Sequence, residues 1–576
     1  MLQPLRAYRA SLSTFMAVIL AAWQITQPIQ AATFYWDTDG SDAGNAVVGT
    51  SLGGTGTWDI ATSNWWPVPS GVLTTWGNTS ADIAIFSGPF SALPTLNTVT
   101  LSGALTANQV RFDRSGYTLA GGTSLTLAGA NAGLYAQMGE SATINTVIDG
   151  TVGLTKSGGG SVRLGGTNTY SGTTTIAGGA LIISNQNQLG AASSAINVTG
   201  GNDTPSNTTL LGITGGSLVL DGTGGAVSLT RALNLEGRGA IGNNNQALWS
   251  LGNNTISSVV TTSFSSQTPA TFRNTRVNAT DGLLTLSGTL NVLGTAATTF
   301  TSLGGVNSAG NGSFLLSGTV TGSGSIEKSG AGTLFLNPTS TSGFTGTLRI
   351  SGSATGQQSS VRVTQATVGG TSVFGSNTGT NASAAIDMNG GVLEFLSESS
   401  LDFNSLSTGK NVYLRANSTF YTGPAAGGQG VGGVTSLGTF RVAANTTGTF
   451  NSRNGYGITL GAWTPESSNN PTTITNNMGG TLTFTGAAWG NNDTTARTLT
   501  IQGNGNTAIA GNVTATGANH VPLKVAPGCL ALPGPPLPFW ETPTSPVVPS
   551  RSQTSARSTI TRLPFPWAMP RQRGAI

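Results

Sequence analysis

Four acidic residues, Asp387, Glu394, Glu398 and Asp402, are the densest carboxylate group in the chain. Two carboxylates flanking a glycosidic bond can cleave it, one as acid and one as base or nucleophile. Glu394 however lies between Leu393 and Phe395, the alternation of a strand whose charged residue faces solvent. A second candidate is Asp37-Thr38-Asp39-Gly40-Ser41-Asp42, whose oxygens could ligate Ca²⁺. It lacks the later Gly and the closing Glu of an EF-hand loop and reads more simply as an acidic turn. Trp36, Trp58, Trp65, Trp66 and Trp76 could offer flat faces to sugar rings, but large aromatics also suit the plug of an open-ended stack of strands. The only His, His520, and the only Cys, Cys529, lie near the C-terminus. That excludes a multi-histidine metal site and leaves a Ser-His-Asp triad implausible. No catalytic, cofactor-binding or metal-ligating residue is assigned.

The elements around these residues are repetitive. Lys156-Ser157-Gly158-Gly159-Gly160-Ser161-Val162-Arg163-Leu164 returns as Lys328-Ser329-Gly330-Ala331-Gly332-Thr333-Leu334-Phe335-Leu336. Tyr170-Ser171-Gly172 follows the first copy and Phe344-Thr345-Gly346 the second. The copies cover 153–184 and 323–352. Lys156 and Lys328 hold matching positions, as turn-fixing residues would, and Tyr170 and Phe344 read as core. A chain that reuses a Gly-rich, strand-forming unit is usually a stacked solenoid.

The composition agrees. Only 8% of the 576 residues are charged and 84 are Gly. Period-two runs such as Ser124-Leu125-Thr126-Leu127, Leu283-Leu284-Thr285-Leu286 and Gly480-Thr481-Leu482-Thr483-Phe484 mark strands with one buried side. Wholesale disorder is the rival for a Gly/Ser/Asn-rich chain, and these alternations oppose it. The expected fold is all-β, a right-handed parallel β-helix of roughly 20 to 25 residues per rung. Its strands would stack at about 4.8 Å into a rod of about 100 Å. An array of β-sandwiches is the competing architecture.

Residues 1–31 read as an export signal. Arg6 and Arg9 precede an apolar run from Leu12 to Trp23, and Ile29-Gln30-Ala31 offers a cleavage site. No later stretch is long and apolar enough for a membrane helix. A Trp-rich opening module is expected at 32–150 and the β-helical body at 151–520. Residues 521–576 differ in kind, with 12 of the 24 Pro residues and three of the 84 Gly. This tail holds six Lys and Arg against Glu541 alone. Without it and the signal's two Arg, 16 basic residues face 19 acidic ones, so the body lacks the basic footprint of a nucleic-acid binder. A Pro-rich linker is one account of the tail. The favoured one is out-of-frame translation, because shifting back one nucleotide lets Leu523 to Gly528 encode Thr-Lys-Ser-Gly-Thr-Gly, the opening of the repeat.

Gly153-Leu154-Thr155-Lys156-Ser157-Gly158 through Thr169-Tyr170-Ser171-Gly172-Thr173-Thr174-Thr175-Ile176 closely resembles the autotransporter-associated β-strand repeat, also called the passenger-associated transport repeat. Val162 and Arg163 depart from it in the first copy. In the second, Glu327 stands at a Thr position and two residues are inserted before Phe344. The resemblance implies an exported β-helical passenger without cofactor. Its repeats would assist folding and passage across the outer membrane, with outer-membrane transport machinery as a partner. The expected role is a non-enzymatic stalk or adhesin, secreted or at the bacterial cell surface, meeting glycans or neighbouring cell surfaces. A secreted polysaccharide-degrading enzyme and a structural surface-layer component are the alternatives.

Overall fold

In the computed structural model the described residues run from 32 to 531, apart from 48–50, 69–70, 90–95, 192–193, 201–214, 237–245, 264–274, 281, 295–296, 303–311, 353–357, 369, 378–384, 405–409, 466–470, 490–497, 516–522 and 526–529. The signal, His520, Cys529 and residues 532–576 lie outside them.

The alternating runs become short strands buried on every second residue. Leu283–Leu286, Ser313–Leu316 and Thr333–Leu336 each bury their second and fourth side chains. A lone strand of four residues cannot cover such an edge, so each pairs with the equivalent strand one circuit later. The result is a parallel β-helix with three faces. The first face begins at Thr33–Trp36, which pairs antiparallel with Trp65–Val68 and parallel with Ile83–Phe86. It comprises 13 strands as far as Ser340–Phe344 and resumes with six from Leu401–Asp402 to Leu530–Ala531. The second face is a ladder of 18 strands from Gly56–Trp58 to Val513–Ala515. It is open: each strand bonds the next along the chain, and those two end strands do not pair. The third face has three strands from Ala104–Ala107 to Ile148–Asp149, then twelve from Ser228–Leu229 to Leu523–Val525.

Two expectations need correction. The circuit is 20 residues where Ile148 bonds Asn168, 30 where Leu283 bonds Asn253, and 38 where Arg349 bonds Asp387. Most later circuits thus exceed 20 to 25 residues, because loops at the corners lengthen them while the strands stay short. Fewer circuits fit the chain, and 18 strands at about 4.8 Å make a stack of about 80 Å, not about 100 Å. Parallel pairing also passes residue 520, since Leu523–Val525 bonds Leu499–Ile501 and Leu530–Ala531 bonds Thr507–Ala508.

The third face is interrupted after Ile148–Asp149, and side chains bridge the gap. Asn168 Oδ1 accepts from the Ile148 amide at 2.7 Å, and its Nδ2 donates to the Gln188 carbonyl at 2.6 Å. There the wall is the short 3₁₀ turn Gln186–Leu189, capped by Asn185. Buried Arg231 holds its far end: Nε donates to Ser194 O at 2.8 Å and Nη1 donates to Leu189 O. A cation at the carbonyl end of a helical turn is favourable.

Candidate functional site

The N-terminal end is closed by aromatics. Trp36, Trp58, Trp65 and Trp76 are buried together with Phe34 and Phe86. Their ring centroids lie 4.7 Å apart at Trp65–Trp76, 5.0 Å at Trp58–Trp65 and 5.1 Å at Trp36–Trp65. Trp36 Nε1 donates to Gly54 O and Trp76 Nε1 to Thr106 O. Four of the five Trp residues named from sequence are therefore core. Trp66 stands apart, half-buried and beside Tyr35 at 5.9 Å. The cluster presents no aromatic platform to a sugar.

The repeat contains the most unusual polar groups of the core. Lys156 and Lys328 are both 0% exposed. Lys156 Nζ donates to Ser157 O at 2.7 Å, Gly158 O at 3.1 Å and Gly178 O at 3.0 Å. Lys328 Nζ donates to Ser329 O, Gly330 O and Ala331 O at 2.7, 2.8 and 2.8 Å. An ammonium has three donors, and each is matched by one turn carbonyl. Burial pushes both lysines down to about 7, while the three acceptors favour the charged form. Gly158 turns at φ +75°, and a Cβ there would meet Ala136 O at 2.2 Å.

The aromatic-x-Gly element has a steric cause. A Cβ on Gly172 would approach Gly153 N to 2.2 Å, and one on Gly346 would approach Gly324 O to 1.8 Å. The aromatic two residues earlier is buried, and a glycine one circuit on lies over it. A Cβ on Gly190 would come within 2.7 Å of the Tyr170 ring, and one on Gly375 within 2.7 Å of Phe344. Tyr170 Oη shares a 2.7 Å hydrogen bond with Thr174 Oγ1, and burial pushes its phenol up to about 12.

The acidic residues do not converge. Asp387 stands on the second face, Glu394 on the third, Asp402 on the resumed first face, and Glu398 in the segment leading to it. Glu394 is half-buried, not freely solvated, because Arg362 Nε reaches its Oε2 at 2.6 Å. Glu398 holds a glycine-rich loop by accepting from the amides of Ala425 and Gly430 at 2.9 and 2.8 Å. At the N-terminus, Asp37 is buried and accepts from Asn45 Nδ2, Asp39 accepts from the Ser41 amide, and Asp42 from the Leu73 amide. Burial raises Asp37 above the usual carboxylate range. Among the described residues no three His, Cys, Asp or Glu gather as around a metal ion. No helix among them is long and apolar enough to cross a membrane, which says nothing of a β-barrel.

Both copies of the lysine-turn unit match a known family: residues 154–183 and 326–352 match the passenger-associated-transport-repeat. The chain thus carries two segments similar to the passenger-associated-transport-repeat. A curated relative, the "Adhesin BmaC autotransporter" of Brucella suis biovar 1 (strain 1330), is 36% identical to it over 201 residues. That match spans 34% of this chain and only 5% of the adhesin's length. No solved structure matches.

The sequence sets both lysines beside Gly-rich turns but gives no sign of their complete burial. The one available signal was the flanking glycine, which brings carbonyls together without a side chain between them. Arg231 carried no signal, because its partners are backbone atoms about 40 residues earlier in the chain.

Proposed function

We propose that this chain is an exported, surface-displayed β-helical passenger that acts as a non-enzymatic adhesin or stalk. The observation that carries this reading is the pair of segments that match the repeat of transported passengers, set in a continuous parallel ladder of 18 strands with one long outer face. Weak hydrogen bonds repeated along such a surface add to useful avidity. The likeness to an adhesin supports the same role. Residues 1–31 act as the export signal, and the repeats assist folding during transport across the outer membrane. Residues 521–576 are an out-of-frame continuation, which sequencing the gene across this region tests.

The experiment is attachment of the purified chain to cells and to arrayed glycans, with products assayed in parallel. Saturable attachment without bond cleavage is expected. New reducing or unsaturated ends on acidic glycans would replace the adhesin reading with an enzymatic one. Self-assembly without attachment would favour a surface layer.

A further inference from the structure

The outer surface of the second face gathers guanidinium groups in a chain where charge is scarce. Glu327, Arg349, Asp387, Tyr413 and Arg441 occupy matched outward positions on five successive strands. Asp387 is buried to 2% exposure. Arg349 reaches its Oδ2 through Nε at 3.3 Å and Nη2 at 3.2 Å. Arg415 reaches Oδ1 and Oδ2 through Nε at 2.8 and 2.9 Å. Each guanidinium is thus gripped on one edge. Among the described residues no hydrogen bond engages Arg349 Nη1 or either Nη of Arg415. These two side chains are 39% and 38% exposed.

Tyr413 orders the row further. The Arg415 and Arg441 guanidinium carbons lie 4.0 and 4.7 Å from its ring centroid, an arginine–tyrosine–arginine stack. Glu327 is occupied by the Ser351 hydroxyl at 2.6 Å. Counted with Arg415, the row holds three arginines and two carboxylates, a formal excess of one positive charge. Its members stand on paired parallel strands about 4.8 Å apart.

We propose that this row binds a linear polysaccharide bearing carboxylates. The planar fork of arginine takes a carboxylate through two parallel N–H donors, and these guanidiniums already hold one in Asp387. Pre-ordering by Asp387 and Tyr413 lowers the entropy lost on binding. A polymer with regularly spaced uronate groups matches cations fixed on neighbouring strands; a single small anion would use only one of them. This inference rests on the surface-displayed reading above.

The test measures the full chain on immobilised polygalacturonate, dextran sulfate and dextran across a salt series. The variants are R415Q/R441Q and the charge-keeping R415K/R441K. Melting must first show that both keep the wild-type fold. Polygalacturonate should retain the wild-type chain, less so as salt rises. R415Q/R441Q should bind at least about tenfold more weakly, and the lysine variant should recover only part of that loss. The proposal is overturned if polygalacturonate binds no better than dextran, if R415Q/R441Q binds as tightly as wild type, or if dextran sulfate is preferred. Cell attachment without any polygalacturonate binding would sink this row and leave the adhesin reading standing. Failure to attach to any cell, with polygalacturonate still bound, would do the reverse.

Discussion

A buried lysine is caught between two costs: a charge out of water, or three carbonyls without a donor. In Lys156 and Lys328 the geometry answers the second and burial sets the first. Their folded pKa lies below the ordinary value of 10.5, so between about 7 and 10.5 the unfolded chain binds more protons than the folded one. Stability from these residues is therefore lowest at and below pH 7 and rises toward pH 10.5, by at most about 1.4 kcal/mol per pH unit per lysine. Urea midpoints taken from pH 7 to 9.5 should climb. In K156M/K328M that climb should disappear and the midpoint at pH 7 should fall, each lost donor group costing about 1–3 kcal/mol. A double variant with an unchanged pH profile would show that the lysines do not titrate in the fold. The sequence displayed both lysines at matching repeat positions. Their burial was hidden, because local sequence does not show a turn closing over its own ammonium, as at Lys328, or the next circuit adding Gly178 O, as at Lys156.

At the scale of the element, the repeat is governed by a glycine that has no space for a side chain. Gly172 needs no positive φ, so its cost on substitution comes from contact with the Val152–Gly153 backbone. Gly103, at φ +83°, has nothing within 4 Å of a Cβ. G103A should therefore cost only the backbone strain of about 1–2 kcal/mol, whereas G172A should force the circuits apart and cost more. Comparing the melting temperatures of the two variants checks this, and equal losses would refute the steric account. The strands themselves were legible, since Thr-Leu-Thr-Leu alternation needs only local sequence. The three-face closure was not. It depends on corners such as the 3₁₀ turn Gln186–Leu189, where Asn168 and Arg231 stand in for strand bonds. The acidic residues show the same limit, being close in sequence yet carried to different faces by intervening turns.

At the scale of the molecule, each circuit touches chiefly its neighbours, so stability is passed along the stack rather than shared at once. The aromatic plug at Trp36, Trp58 and Trp65 should then protect the first circuits most. W58A should cost about 3–5 kcal/mol. By hydrogen exchange, its loss of protection should be largest around Val99–Leu119 and faint around Leu482–Ile509. Uniform loss along the chain would contradict nearest-neighbour coupling. The Trp residues were conspicuous in the sequence, but only packing could show that Trp66 alone of the five escapes the plug.

The two lysine turns begin on different walls. Lys156 lies in a strand of the first face and Lys328 in a strand of the second. The same words are thus written a third of a revolution apart, and both are read correctly. A unit that closes a full lap from whichever wall it starts carries no fixed address. Copies of it can be added or deleted in whole laps, and the rod lengthens or shortens by one layer while every other wall keeps its alignment. Reach, in such a molecule, is a quantity that gene duplication can adjust in small equal steps.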